Sequence, residues 1–310
     1  DIAFLATLAG YVHWQLSGEK VLGIGDASGM FPIDPSTGTY DAGRLTTFDN
    51  LPAVSQLPWK LADILPAVRR AGEEAGTLTP AGAKLLDPSG TLAAGSRMAP
   101  PEGDAGTGMV STNSVRPGTG NISIGTSAFS MNVLDKPLRD VHQDIDIVTT
   151  PDGAPVAMVH TNNCTSDLNA WAGLFRDFAE AAGLKLSSAE LYGLLLGQVR
   201  SAAADAGGLL NYSCLSGENV TRVEAGRPLF VRTPHSRMTL GNFMLSQLYG
   251  AFAPLRIGMD ILTEEEHISA GSMIAQGGLF KTPQIGQQAL ADLLGMPVTI
   301  METADAGGPW

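Results

Sequence analysis

The sequence predicts an α/β protein of two domains, and three observations carry that prediction. The first is size: 310 residues, 44% of them hydrophobic, supply enough apolar side chains for two ordinary cores. The second is the steady alternation of helical periodicity, short strand-like runs and turn residues along the chain. The third lies near the end, where a strand from Met273 breaks at Gly277-Gly278. A helix bearing Ile285, Ala289, Leu290, Leu293 and Leu294 follows, then a strand over 298–301, the order expected of a parallel crossover.

Taken in chain order, periodicity predicts a helix over 2–16. A turn-rich stretch follows over 26–58, punctuated by Pro32, Pro35, Gly38, Gly43, Asn50 and Pro52. Inside it, residues 34–41 have the look of a calcium loop, but Leu45 stands where a bidentate Glu is needed, so a solvated turn is expected. Two helices are predicted between 61 and 86, separated at Gly72 and restarted by Thr79-Pro80. A loop rich in Gly, Ala and Pro then runs to Glu102. Residues 120–134 alternate as two strands joined at Gly125-Thr126-Ser127, the pattern of a hairpin. A strand over 155–160, helices over 167–182 and 188–204, a strand-like run over 209–215 and a helix over 242–262 complete the middle. Glu264-Glu265-Glu266 reads as a solvated helix end.

Charge and composition exclude whole classes of function. The net charge is −12 and no run of basic residues occurs, so a nucleic-acid surface is excluded; any triphosphate must be held by backbone amides, helix ends and metal ions. No apolar run approaches the roughly 18 residues of a membrane span, and no signal-peptide pattern is present. Cys164 and Cys214 are too sparse for a disulfide-stapled scaffold and read as reduced thiols of a cytoplasmic protein. His13, His142, His160, His235 and His267 show no ligand spacing.

Three short segments hold chemistry. Gly103-Asp104-Ala-Gly-Thr-Gly sets a carboxylate at a glycine-rich turn before a helix, where free amides and the helix dipole favour its ionised, proton-accepting form; a plain N-cap is the alternative. Gly125-Thr126-Ser127 offers unobstructed amides and two hydroxyls for phosphate oxygens or metal-bound water, with a simple hairpin turn as the alternative. Gly277-Gly278 lets a base or ribose approach the backbone, although a tight turn explains the glycines equally well. Asn162, Asn163 and Asp167, at a strand-to-helix turn, are expected to cap the following helix, with lining of a nucleotide cleft as the alternative. Neither a P-loop nor a dinucleotide fingerprint occurs.

In combination, Gly103-Asp104-Ala-Gly-Thr-Gly, the run Gly-Asn-Ile-Ser-Ile-Gly-Thr-Ser-Ala-Phe that follows it, and Gln276-Gly277-Gly278 resemble the FGGY family of carbohydrate kinases, nearest its xylulokinase-like members. The likeness extends from Gly25-Asp26-Ala27-Ser28 to the segment from Met301 to Asp305. It implies an actin-like ATPase (ribonuclease H-like) fold of two domains whose closure on sugar and ATP excludes water. The first, over 1–117, is an incomplete sugar-binding domain carrying the catalytic Asp; the second, over 118–310, is nucleotide-binding.

The resemblance also implies roles for individual residues. Asp104 falls on the catalytic base and touches substrate, and Phe129 falls against the sugar; Asp26 is a further candidate for sugar contact, with a turn role as the equal alternative. Gly125, Thr126 and Ser127 fall on the phosphate hairpin, and Gly277, Gly278 and Thr282 on the adenosine turn. ATP and Mg²⁺ are implied as donor and cofactor, with the metal ligands unassigned. The implied reaction phosphorylates a small sugar hydroxyl, a ketopentose such as xylulose. Gluconate, ribulose or glycerol as acceptor, or a non-catalytic nucleotide- or sugar-binding module, are the alternatives. The family's opening strand and Asp-x-Gly-Thr phosphate hairpin have no counterpart here, so the 310 residues by themselves are expected to lack turnover. A homodimer is carried as an open possibility.

Overall fold

The computed structural model describes residues 2–268 and 271–301. The chain forms two compact units: Asp1–Pro117 with Val133–Asp135 and Ile147–Ala157, and Gly118–Asn132 with Lys136–Asp146 and Met158–Trp310. The 302–305 end of the family resemblance lies outside the described residues.

The first unit contains α1 (Leu8–Ser17), β1 (Val21–Gly23), α2 (Ile24–Met30), β2 (Ile33–Asp34), β3 (Thr39–Tyr40), α3 (Ala42–Asp49), α4 (Leu61–Ile64), β4 (Ala67–Arg69), α5 (Pro80–Leu86) and α6 (Asp104–Ser111). The opening helix starts later than predicted because Thr7 caps it, its hydroxyl accepting from the Gly10 N–H at 3.1 Å, and Gly18 at φ 81° ends it. Residues 2–7 are non-helical, and the Leu5 N–H donates to the Ile64 carbonyl at 2.8 Å.

The two helices predicted between 61 and 86 reduce to the single turn α4, the strand β4 and α5. Pro66 forces Leu65 into an extended conformation (ψ 149°), which ends α4, and Val68 then pairs with Leu22 in a parallel ladder with β1. Local periodicity carries no information about that distant partner. The expected solvated turn is the β2–β3 hairpin, where Asp34 accepts from the Ser36 N–H at 2.8 Å. Val21, Leu22, Ile24, Leu61, Ile64 and Met109 are buried and form the unit's apolar interior.

The rest of the chain forms β5 (Thr119–Ile124), β6 (Ala128–Val133), β7 (Asp146–Thr149), β8 (Pro155–Thr161), α7 (Thr165–Ala181), α8 (Ser188–Gly197), β9 (Leu210–Tyr212), β10 (Leu229–Val231), α9 (Leu240–Asp260), β11 (Ser272–Gln276), α10 (Ile285–Leu294) and β12 (Val298–Ile300). The main sheet has the order β12-β11-β5-β6-β8-β7. As the sequence predicts, β5 and β6 are an antiparallel hairpin, and β11 and β12 are parallel neighbours joined through α10. β11 also runs parallel to β5, with Gln276 opposite Ser123, so both strands end beside the same turn region. Ligands of α/β sheets gather at such carboxyl ends. Phe252, Met244, Leu248 and Leu255 of α9 are fully buried, as are Leu168 and Leu196.

Two further expectations are corrected. The helix from Ser188 stops at Gly197 and continues only as a 3₁₀ turn, Gln198–Ser201. Glu266 is no solvated helix end: it is 1% exposed and accepts from the Arg139 N–H at 2.7 Å, the Asp140 N–H at 3.1 Å and His142 Nε2 at 2.6 Å. These donors hold its carboxyl down at about 2.

Candidate active site

In the second unit the hairpin tip is fixed to the start of α7. The Gly125 N–H donates to the Ser127 carbonyl at 2.8 Å, and the Gly125 carbonyl accepts from the Thr165 N–H at 3.2 Å and from its hydroxyl at 2.7 Å. The Cys164 N–H donates to the Thr126 carbonyl at 2.9 Å. The Gly125 amide is therefore committed to the turn itself. The N–H groups of Thr126 and Ser127 bond to no described residue and remain for an anion.

The loop before α7 is braced from behind by Glu218, which is 1% exposed. Its carboxylate accepts from the Asn162 N–H at 3.2 Å, the Asn163 N–H at 3.0 Å and Asn163 Nδ2 at 2.9 Å. Asn163 Oδ1 in turn accepts from the Leu215 and Ser216 amides, both at 2.9 Å. Burial and the nearby Glu218 charge push the Cys164 thiol up to about 12, so this free cysteine is inert. The expected helix-capping roles are thus corrected. Cys164 occupies the N-cap position of α7 without a side-chain bond, Asn163 braces the loop, and Asp167 accepts from Asn211 at 3.1 Å.

At the end of β11, Gly277 has φ 130°. A Cβ there would overlap the Ile124 carbonyl oxygen and stand 2.9 Å from its carbon, so glycine is required for β11 to end against the root of the hairpin. Gly278 begins a 3₁₀ turn, Gly278–Lys281.

Between these parts lies a pocket of about 530 Å³, within the usual size for small-molecule sites. Ile124, Gly125 and Thr126 form one wall; Thr165, Leu168 and Asn169 of α7 and Ser188, Tyr192 and Leu196 of α8 form another; Gly278, Leu279, Lys281 and Thr282 close it. The Tyr192 hydroxyl donates to Asn169 Oδ1 at 2.6 Å. Of the sequence-predicted residues, Gly125, Thr126, Gly278 and Thr282 line this pocket. Phe129 is outside it, half-buried on β6 opposite Ser123. Thr165, Asn169, Tyr192 and Lys281 were not found from sequence, where nothing links single residues on separate elements. Gln276, next to the turn, has a buried Oε1 without a partner among the described residues.

In the first unit Asp104 is the first residue of α6, and Gly103 is the N-cap. This corrects the plain-cap alternative: the Asp104 carboxylate is exposed and makes no hydrogen bond to a described residue. Asp26 lies close to it, since a Cβ on Gly103 would sit 3.3 Å from Asp26 Oδ1. Burial raises the Asp26 pKa and the Asp104 charge adds to that, while the hydroxyl of Thr7, donating to Asp26 Oδ2 at 2.6 Å, opposes it. Tyr40 has a buried hydroxyl without a partner among the described residues, its pKa raised by burial and by the Asp26 charge. Glu102 accepts from the Gly25 N–H at 3.0 Å and the Asp26 N–H at 2.7 Å, and burial above all lifts its carboxyl to about 7.

Among the described residues no group of three His, Cys, Asp or Glu side chains converges to cage a metal. A Mg²⁺ carried on phosphates and water needs no such cage, and the Thr126 and Ser127 hydroxyls are the donor type that suits its waters.

Residues 120–310 match the C-terminal domain of the FGGY family of carbohydrate kinases. Among solved structures, the chain is similar to xylulose kinase from Rhodospirillum rubrum, with 19% identity, a TM-score of 0.71 and coverage of 96% of this chain and 55% of that one. It is similar to gluconate kinase from Lactobacillus acidophilus at 17% identity and a TM-score of 0.74, covering 98% and 56% respectively. Glycerol kinase from Plasmodium falciparum, solved with ADP, matches at 14% identity and a TM-score of 0.67, covering 98% and 56%. The fold is therefore the mixed α/β fold of these kinases, of the actin-like ATPase type, and the chain spans little more than half the length of those proteins. No curated protein sequence matches it. No helix among the described residues is long and apolar enough to cross a membrane.

Proposed function

The chain belongs to the FGGY family of carbohydrate kinases, and on that premise we propose that it carries out ATP-dependent phosphorylation of a small sugar hydroxyl, with a ketopentose such as xylulose as acceptor. The observation that carries the reading is the Asp104 carboxylate, uncommitted and exposed at a helix start beside the half-buried Asp26. In this reading the first unit holds the sugar and the second holds the nucleotide.

Asp104 accepts the proton of the acceptor hydroxyl as that oxygen bonds to the γ-phosphorus and the bond to the β-phosphate oxygen breaks, releasing ADP. Asp26 accepts a hydrogen bond from a neighbouring sugar hydroxyl. The free N–H groups of Thr126 and Ser127 hold phosphate oxygens, and Gly277, Gly278 and Thr282 present backbone to the adenosine. Mg²⁺ supplies neutralisation of phosphate charge. Phosphoryl transfer asks chiefly for such alignment and charge compensation.

Three solved neighbours are xylulose kinases, which supports the acceptor. Gluconate, ribulose and glycerol are the alternatives that a substrate panel separates. The test is ADP release from Mg-ATP by the full-length protein with ketopentoses, gluconate and polyols, run beside Asp104→Asn. Loss of the base is expected to cost about 10²- to 10⁴-fold in turnover with ATP binding retained. Sugar-dependent turnover at the normal rate in the variant overturns the base assignment, and ATP binding without sugar-dependent turnover in the parent protein points to a binding module.

A further inference from the structure

We propose that Glu102 is a positioning residue that sets Asp26 against Asp104, a role that rests on reading Asp104 as the base. Its carboxylate spans two helix starts. It belongs to the segment that leads into α6 two residues later, and it accepts from two successive amides, Gly25 and Asp26, at the beginning of α2. The N-cap of α2 is Gly23, which has no side chain to offer, so a carboxylate from 76 residues further along the chain takes the capping role for Asp26. The Gly23 N–H donates to the Pro101 carbonyl at 2.8 Å and closes the same junction through the backbone.

The surroundings are shaped for that carboxylate. A Cβ on Gly23 would stand 2.5 Å from Glu102 Cδ, one on Gly25 2.6 Å from Oε2, and one on Gly106 3.2 Å from Oε2. Each of these glycines admits the glutamate where a larger residue would displace it. The Asp26 carboxylate faces Glu102 and raises its carboxyl further, and the Asp104 charge acts on Asp26 in turn. A third carboxylate in such company is a cost to stability that a purely structural cap, such as Ser or Asn at position 23, would avoid. What Glu102 adds is a fixed distance between a sugar-binding carboxylate and the base, and misplacement of reacting groups by about 1 Å can cost 10²-fold in rate.

The test uses Glu102→Gln and Glu102→Ala in the full-length protein. Gln retains one acceptor and turns its NH₂ toward the other amide. The expected result is a fall in kcat/KM for sugar of about tenfold for Gln and about 10²-fold for Ala, with KM for ATP within about twofold of the parent. The parent is expected to show an acid limb in its sugar kcat/KM profile as Glu102 takes up a proton, and the Gln variant is expected to lack it. Amide exchange of Gly25 and Asp26 is expected to quicken in both variants. Unchanged kcat/KM, or equal losses for sugar and ATP in proportion to unfolded protein, overturns the proposal. If the parent shows no sugar-dependent turnover, the kinase reading alone fails. Glu102 is then decided by amide exchange: faster exchange at Gly25 and Asp26 supports the tether, and unchanged exchange refutes it.

Discussion

Replacing Gly277 by Ala tests most directly the geometry of the pocket proposed to hold the nucleotide. Two costs follow from the structure. At φ 130° and ψ 164° the backbone lies in a region that essentially only glycine occupies, which costs about 1–3 kcal/mol for another residue. The added Cβ overlaps the Ile124 carbonyl oxygen, a backbone atom of β5 that cannot rotate away as a side chain would, and relief by repacking costs about 1–3 kcal/mol more. Together these give about 4 kcal/mol, or a fall in Tm of about 8–16 °C for a unit of this size.

Relief requires the Gly278–Lys281 turn to move off the hairpin, so the pocket opens and affinity for Mg-ATP falls with stability. Gly278→Ala is the matched control: its Cβ meets nothing within 4 Å, so stability should change by less than about 0.5 kcal/mol while nucleotide affinity falls if adenosine approaches that backbone. Thermal unfolding with and without Mg-ATP reads both quantities. A Gly277→Ala protein with the parent's Tm and nucleotide affinity would refute the close approach of β11 to the hairpin root.

Further outcomes follow from the buried carboxylates. Glu218→Ala strands the buried Asn163 amide at a cost of about 1–3 kcal/mol, and should raise KM for ATP with KM for sugar unchanged, as steady-state kinetics and thermal unfolding will report. The Glu266 carboxyl is depressed to about 2, so its contribution is present above pH 4.5 and lost as pH falls toward 2; Glu266→Gln should lose that part of the acid transition in a pH-dependent unfolding series. Glu102 has the opposite sign: raised from 4.5 to about 7, it contributes stability below pH 4.5 that disappears as pH rises through 7. The difference between the parent and Glu102→Gln should therefore move by roughly 3 kcal/mol in favour of the variant between pH 4.5 and 8, and parallel curves would contradict the buried carboxyl.

The fold class, the β5–β6 hairpin, the crossover through α10 and the turn residues Asp104, Gly125 and Gly277 are legible before the chain folds, because each is written in local periodicity, in glycine placement or in a short run whose order is informative. Tertiary structure decided the rest. Val68 reads as helical until β1 supplies a parallel partner, and Glu266 reads as solvated until the amides of Arg139 and Asp140 close on it. Tyr192 and Asn169 meet only because α7 and α8 lie together, and Glu102 looks like the last residue of a loop until the start of α2 is brought to it. Local pattern records what a residue does to its own backbone. Hydrogen bonds that span dozens of residues, and the burial that raises the Glu102 carboxyl, exist only once the chain has folded around them.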